Sequence, residues 1–407
     1  MDTIVTPIPL PGRASPRLRS LPPLSVYIHI PWCLKKCPYC DFNSHALRKA
    51  DEFPEDAYVN AVIRDLESAL PHVWGRQVTS VFFGGGTPSL FSAQAIDKIL
   101  TAIRTLLPLE PMAEITLEAN PGTFEALKFA EFRSAGINRL SVGIQSFNSQ
   151  HLRALGRVHD DDEAYSAVAI AQNIFDNVNL DLMYALPGQT VEEARRDAEI
   201  ACSFGVAHLS IYHLTLEPNT LFHRFPPALP TDEQSADMQD QIEYILRENH
   251  YTHYETSAFA RRGRESFHNT NYWLFGDYLG VGAGAHSKIS FADKIIRQMR
   301  FKQPRTYLEK AVDGSISAAP AIQTQFELKP ADRSFEFMMN ALRLTGGFES
   351  VLFEERTGMP LPVILPALNE AEQRGLIERD HRRITPTLMG RRFLNDLLQI
   401  FLPIKNQ

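Results

Sequence analysis

Three thiols fall close together in Pro31-Trp32-Cys33-Leu34-Lys35-Lys36-Cys37-Pro38-Tyr39-Cys40, with the spacing C-x3-C-x2-C. Soft thiolates in such a cluster suit a metal ion or an iron–sulfur cluster. A structural zinc site wants a fourth Cys or His nearby, and His45 could supply it, so zinc is the plainer alternative. Three protein ligands on a four-iron cube leave one iron open, and an open iron can hold a substrate. Lys35 and Lys36 either moderate the cluster's negative charge or are solvated loop lysines. The fourth cysteine, Cys202, lies far away in a helical stretch with Ala201 and Phe204 and reads as buried core. So few cysteines, so placed, make a poor disulfide framework and a good metal site.

Other residues could bind a small polar molecule. In Phe83-Gly84-Gly85-Gly86-Thr87-Pro88 three glycines let a ligand approach the backbone, and free N–H groups there could meet a carboxylate or an amine partner. No Gly-Lys-Ser/Thr follows, which excludes a P-loop. Glu118 stands in Leu117-Glu118-Ala119-Asn120-Pro121, Gln145 in Gly143-Ile144-Gln145-Ser146-Phe147, and Asp181 in Leu180-Asp181-Leu182-Met183. Any one of these is ordinarily a satisfied strand-end residue. Together they recur at successive strand ends, as a shared polar rim would require. Arg157, in Gly156-Arg157-Val158-His159, offers a cation to a carboxylate or is a surface arginine. Gly280-Val281-Gly282-Ala283-Gly284-Ala285 imitates a dinucleotide fingerprint. It lacks the acid expected about 20 residues on. It is read as a close-packed strand end lining the same cavity.

The elements that must hold these residues show as a beat. Strand-like runs are expected at Ser25–Pro31, Val78–Gly86, Glu114–Pro121, Arg139–Ser146, Asn177–Pro187 and His208–Pro218, apolar enough for strands buried on both faces. Between them lie helical patterns. Ile96, Ile99, Leu100, Ile103, Leu106 and Leu107 repeat at helical spacing. Thr190 with Glu193 and Thr231 with Gln234 read as capping boxes. Six β–α units predict an α/β fold, a partial (β/α)6 TIM-like barrel, with a doubly wound open sheet as the competitor. A strand is expected near Tyr251–Ala258, and residues 260–300 read as irregular, aromatic and Gly-rich. Three short helices near 334–344, 348–357 and 362–374, a β-wing at Arg379–Pro386 and a last helix to about Ile400 predict a C-terminal, winged-helix-like domain.

The expected division is a Pro-rich flexible arm (1–24), the barrel (25–235), a barrel extension (236–325) and the C-terminal domain (326–407). The arm has no apolar signal core; Arg13, Arg17 and Arg19 with almost no acid leave a transit peptide as the alternative, but its prolines forbid an amphipathic helix and favour a flexible arm. The 407 residues with 44% hydrophobic content can bury a sizeable core, which excludes a disordered chain. A net charge of −7 argues against nucleic acid, and no apolar run is long enough to span a membrane.

The cysteine spacing after the first strand, with the glycine turn one unit later, resembles the radical S-adenosylmethionine (SAM) superfamily. That resemblance implies a 4Fe–4S cluster on Cys33, Cys37 and Cys40. In the superfamily the open iron chelates the amino and carboxylate groups of SAM, and an electron then cleaves SAM to a 5′-deoxyadenosyl radical. It further implies a SAM pocket of Tyr27, Tyr39, Gly85, Gly86, Thr87, Glu118, Gln145, Arg157 and Asp181. These motifs imply SAM binding, not turnover, and no residue is assigned as catalytic.

Residues 25–400 resemble the coproporphyrinogen III oxidase-like group, through Ser25-Val26-Tyr27-Ile28-His29-Ile30-Pro31-Trp32-Cys33, the Gly-Gly-Gly-Thr-Pro turn and the C-terminal domain. Within it the chain is most similar to HemW-type heme chaperones. Only 24 residues precede the first strand, whereas the oxidases have a longer leading segment. Phe42 stands where they have a fourth cysteine, and Tyr39 where they have a phenylalanine. His268-Asn269-Thr270-Asn271-Tyr272-Trp273 matches the H-N-x-x-Y-W signature of the chaperones. The resemblance thus implies heme as a third cofactor, with His268, Asn269, Tyr272 and Trp273 as candidates to bind it. Imidazole can ligate iron, and the rings can pack on a porphyrin. By chemistry alone the segment is equally an aromatic loop with a hydrogen-bonded histidine. Expected partners are acceptor hemoproteins, respiratory ones among them, and an electron donor to the cluster, in the cytoplasm. Coproporphyrinogen oxidation is the alternative.

Overall fold

The computed structural model describes residues 16–47, 53–123, 126–312 and 321–403. Six parallel strands form its centre: β1 (Leu24–Ile30), β2 (Val78–Gly85), β3 (Leu109–Ala119), β4 (Arg139–Gln145), β5 (Val178–Tyr184) and β6 (His208–His213). Each pairs with the next in chain order. A doubly wound sheet would reverse direction at its first strand. Sequential order with right-handed crossovers instead puts every helix on one side and curls the sheet toward a barrel. The helices are α1 (Glu55–Val73), α2 (Ala93–Leu106), α3 (Ala126–Ala135), α4 (Asp161–Ile174), α5 (Val191–Ser203) and α6 (Asp232–Glu248). Ser92 caps α2, and the boxes at Thr190/Glu193 and Thr231/Gln234 are both made, as is one at Asp160/Glu163.

Each strand has two different faces. Val26, Ile28, Val81, Phe83, Leu117, Leu140, Val142, Leu180 and Leu209 are buried in the apolar layer shared with the helices. The alternate residues, among them Ser25, Ser80, Glu114, Thr116, Arg139, Ser141, Asn179, His208 and Ser210, are buried too, but polar. Period-2 geometry turns them to the barrel interior. Both faces are therefore covered, as expected, yet the inner one is hydrogen-bonded rather than greasy.

The barrel does not close. β1 has a second neighbour, β9 (Asp277–Val281), running parallel to it, and β6 is flanked by the hairpin of β7 (Thr252–Glu255) and β8 (Ala258–Ala260). The antiparallel strands β10 (His286–Ser290), β11 (Ile295–Arg300) and β12 (Ile322–Glu327) extend the sheet beyond β9 to twelve strands. The expectation of an irregular segment at 260–300 is thus corrected, because most of it is regular strand and helix. Its hydrophobic pattern is masked by polar residues that are nonetheless buried. Lys288 pairs with Asp277 at 2.9 Å and Arg300 with Asp65 at 3.2 Å. The H-N-x-x-Y-W segment is also not a loop but a helix, α7 (Phe267–Trp273), capped by Ser266. A further helix, α8 (Pro304–Val312), packs on α1.

The C-terminal part has α9 (Pro330–Ala341), α10 (Ser350–Thr357) and α11 (Leu365–Gln373), then a small sheet of β13 (Phe348–Glu349), β14 (Ile377–Arg379) and β15 (Arg383–Pro386). Its core holds Phe337, Phe348, Phe353, Leu368, Ile377 and Ile384. The expected last helix is two short ones, Leu388–Arg392 and Leu394–Gln399. Residues 1–15 of the Pro-rich arm lie outside the described residues. The rest of the arm is docked rather than free. Leu18 is buried and its N–H donates to Ala292 O at 2.8 Å, while Arg17 lies against Gly358.

Candidate functional site

The cysteines lie on the loop that leaves β1. Trp32 and Cys33 pair with His45 and Ala46 as a two-residue strand, closing the loop at its base. Trp32 packs edge-on against Tyr58 at 4.7 Å, and Lys36 Nζ donates to Phe42 O and Ser44 O at 3.0 and 3.1 Å. From the other side of the barrel, Phe222 N–H donates to Pro38 O at 3.0 Å. Cys33, Cys37 and Cys40 are all half-buried free thiols, and all three line one cavity of about 370 Å³ at the C-terminal ends of the strands. That is the end where barrel active sites assemble.

The glycine turn meets this loop edge to edge. A Cβ on Gly86 would lie 2.4 Å from Trp32 O, so only glycine fits. Gly86 N–H donates to Ile30 O, Thr87 N–H to Trp32 O and Gly85 N–H to Glu118 Oε2, at 2.7, 2.8 and 3.1 Å. The expected free N–H groups are therefore engaged within the protein. A bound amino group is a donor, and its acceptors here are carbonyls and carboxylates.

Glu118, Gln145, Asp181 and Arg157 do converge, with Tyr39, Gly85, Gly86 and Thr87, around the same cavity. Burial and the neighbouring Asp181 push the Glu118 carboxyl up to about 8, against the pull of the Gly85 N–H and Arg139. Burial also raises Asp181, although Ser141 Oγ (2.9 Å) and Asn179 Nδ2 (2.9 Å) donate to it. Arg157 Nη2 is fixed by Asn120 Oδ1 at 2.6 Å and Gly143 O at 2.8 Å, and Nη1 lies 3.8 Å from Cys37 Sγ. Its guanidinium is thus an inner wall, not a surface group. Gln145 holds a left-handed backbone with φ 69°. Such strain in a non-glycine residue costs ~1 kcal/mol and persists where the surroundings impose it. Here Asp197 on α5 imposes it, accepting from Ser146 Oγ at 2.6 Å and Phe147 N–H at 2.8 Å.

Tyr27 is the one expected SAM residue that does not line the cavity. It lies one step below, with its hydroxyl on His29 Nδ1 at 3.1 Å. Residues that sequence reasoning passed over do line it: Asn120, Ser141, Met183, Tyr212, Thr215 and Glu217. The last three come from the end of β6, where the same search for polar strand ends would have found them. Phe42 also lines the cavity, 61% exposed. The Gly280–Ala285 segment does not.

The heme candidates are elsewhere. His268 is 3% exposed, stacked on Phe82 at 4.8 Å, with Nδ1 3.1 Å from Ser80 Oγ. His268 N–H donates to Glu114 Oε1 at 3.1 Å. Since Ser80 and Glu114 begin their strands' inward rows, α7 sits inside the opposite end of the barrel from the thiols. Asn269, Tyr272 and Trp273 are half-buried on the same helix. Tyr272 stacks on Tyr278 at 4.1 Å and Arg343 covers Trp273 at 4.3 Å.

The donor chemistry fits a 4Fe–4S cluster. Three thiols share a cavity wall, beside a space large enough for a small molecule. The buried Arg157 Nε beside them lacks a protein partner. A single metal ion fits less well. Among the described residues no three His, Cys, Asp or Glu converge on one point, so His45 does not complete a zinc site.

A partial six-stranded barrel with this thiol loop on its first strand and these polar strand ends is a radical SAM protein. The Radical SAM superfamily profile matches residues 27–201, and that of the HemN C-terminal domain matches residues 328–393. The chain belongs to the HemW family. It is 45% identical over 386 residues to the heme chaperone HemW of Escherichia coli K12, covering 94% of this chain and 99% of that protein. It is 32% identical over 385 residues to the heme chaperone HemW of Bacillus subtilis 168, covering 93% and 99%. Among solved structures, the fold is similar to the coproporphyrinogen III oxidase HemN of Escherichia coli, described as a radical SAM enzyme. The TM-score is 0.78 at 24% identity, over 94% of this chain and 90% of that one. No described helix is long and apolar enough to cross a membrane.

Proposed function

We propose that this protein is a heme chaperone: it holds a 4Fe–4S cluster and SAM in the cavity, takes up heme and passes it to apo-hemoproteins. The observation that carries this reading is the near full-length match to a protein named heme chaperone, over 99% of its length and 94% of this chain at 45% identity. The cavity supports it by bringing eight of the nine expected SAM residues around the thiols. When bound, the cluster supplies an iron that can chelate the amino and carboxylate groups of SAM. The protein's own contribution is acceptors in Glu118 and Asp181 and the fixed cation of Arg157. Anaerobically reconstituted protein is expected to bind heme and to activate an apo-hemoprotein, with no decarboxylation of coproporphyrinogen. Decarboxylation well above background would replace the chaperone reading with the oxidase one, and failure to bind heme would remove it.

Glu118 gives this pocket a proton signature. With its carboxyl at about 8, it is mostly protonated at pH 7 in the free protein. A cationic ligand favours the carboxylate and drives the proton off. SAM binding near pH 7 is therefore expected to release up to about one proton, and affinity to rise with pH through about 8, levelling off only above it, where the free site is ionised. Calorimetry in buffers of different ionisation enthalpy measures this. A buffer-independent enthalpy would refute it.

For heme we propose α7 as the site, entered by loosening α7 from the barrel. The Ser80 hydroxyl hydrogen points to Ser25 Oγ at 2.8 Å, so His268 Nδ1 is a donor to Ser80 and Nε2 keeps its lone pair. Burial, then Arg139, pushes this imidazole down to about 3, so it stays neutral. That is the state and tautomer an iron ligand needs.

A further inference from the structure

We infer that Asn43 and His29 are positioning residues that clamp the chain leaving Cys40, with the Gly282–Gly284 turn as its seat. The inference rests on the reading of the cysteine loop as the cluster loop. His29 Nε2 lies 2.9 Å from Asn43 O. A carbonyl only accepts, so Nε2 carries the proton and Nδ1 accepts from the Tyr27 hydroxyl. Burial pushes the His29 pKa down to about 4, which keeps this neutral tautomer. The Asn43 side chain faces the other way. Its Nδ2 donates to Ala283 O at 2.9 Å and to Lys302 O at 2.8 Å, using both hydrogens. Asn43 thus joins β1 to the antiparallel extension of the sheet, three residues after the last cluster thiol.

The glycines nearby are cut to this clamp. Gly284 has φ +82°, and a Cβ there would lie 2.4 Å from Asn43 Nδ2. Gly282 has φ +104°, and its Cβ would lie 2.4 Å from His29 O. Gly85, from the glycine turn, has φ +115°, with its Cβ 2.6 Å from the His29 ring. Tyr58 finishes the assembly, donating to His29 O at 2.7 Å and accepting from Ala283 N–H at 2.8 Å. The dinucleotide-like pattern at 280–285 therefore makes room for the cluster loop, and the histidine before the cysteines and both glycine motifs serve one device.

The test is chelator-driven cluster loss from the full-length, reconstituted protein, followed by iron–sulfur absorbance and iron content. Asn43→Ala keeps all three thiols but removes two hydrogen bonds. It is expected to assemble the cluster and lose it about tenfold faster. Gly284→Ala should do likewise, by collision with Asn43. The double variant should be no worse than Gly284→Ala alone, because without the amide the closest approach relaxes from 2.4 Å to 3.2 Å, at the Asn43 Cβ. Asn43→Ser, which keeps one donor, should fall between, and serves if the alanine variant does not fold. Melting of the cluster-free proteins by circular dichroism separates loop positioning from global destabilisation. Wild-type loss rates in Asn43→Ala and Asn43→Ser, or effects that simply multiply in the double variant, would overturn the clamp. A wild-type protein that binds no cluster would instead overturn the cysteine assignment beneath it.

Discussion

Replacing Cys33, Cys37 and Cys40 together by alanine is expected to abolish the iron–sulfur absorbance of the reconstituted protein and reduce its bound iron to background. The expectation is total because no substitute ligands stand by. Among the described residues no three His, Cys, Asp or Glu elsewhere are placed to hold a metal. His45, the nearest alternative, has its Nε2 buried without a partner rather than aimed with the thiols at one point. Each single substitution should also drop the cluster, since two thiolates leave two irons without protein ligands. The fold should survive. The three thiols are half-buried on a loop, and loss of such groups usually costs no more than ~1 kcal/mol. Far-ultraviolet circular dichroism should therefore be unchanged. Cys202→Ala is the control. That thiol is 7% exposed in the apolar layer outside the barrel, and its removal should leave cluster content at wild-type level. A cluster retained in the triple variant would refute the site.

The barrel was legible in the sequence because its outer face obeys the hydrophobic pattern. Val26, Ile28, Val81, Phe83, Val142 and Leu180 mark their strands, and Thr190 and Thr231 mark helix starts by side-chain caps that the structure makes. The extension was not legible, for a physical reason. β10 and β11 bury Lys288 and Arg300, whose charges are met by Asp277 on the neighbouring strand β9 and by Asp65 on the distant helix α1. A buried ion pair looks like two surface residues until both partners are in place. Periodicity cannot see that compensation. α7 failed for a related reason. It is a single capped helix of seven residues, stable only because Ser80, Ser25 and Glu114 receive it inside the barrel.

In the site, residues carried by motifs were found and residues that shape backbone were not. The thiols, Glu118, Gln145 and Asp181 announce themselves at strand ends. Asp197 does not, since a lone carboxylate in a helix looks solvated. Yet its two hydrogen bonds hold the turn that keeps Gln145 left-handed. Asn43 was likewise silent, and the glycines that seat it read as a nucleotide motif. Chemistry is local in sequence, whereas positioning joins segments such as 43 and 283. Tyr27 shows the converse: its motif is clear, but its hydroxyl is directed at His29 beneath the cavity.

The strongest test of the heme site is a pair of variants expected to move in opposite directions. His268→Ala removes a ring that is 3% exposed, stacked on Phe82 at 4.8 Å and met at a tilt by Tyr272 at 5.0 Å. The hole and the lost hydrogen bond to Ser80 should cost about 2–4 kcal/mol of stability. If His268 also ligates iron once α7 opens, the same variant should lose the heme absorbance, even when compared at equal folded fraction. Ser80→Ala instead keeps the imidazole and removes the bond that holds it shut. With that bond worth ~1 kcal/mol, the open form should be about fivefold more populated, and heme uptake correspondingly faster. Stopped-flow uptake and thermal melts of both variants measure this. Slower uptake in His268→Ala with faster uptake in Ser80→Ala supports a gated site on α7. Normal heme spectra in His268→Ala, at any melting temperature, would leave His268 as a wall residue of the barrel and move heme off this helix.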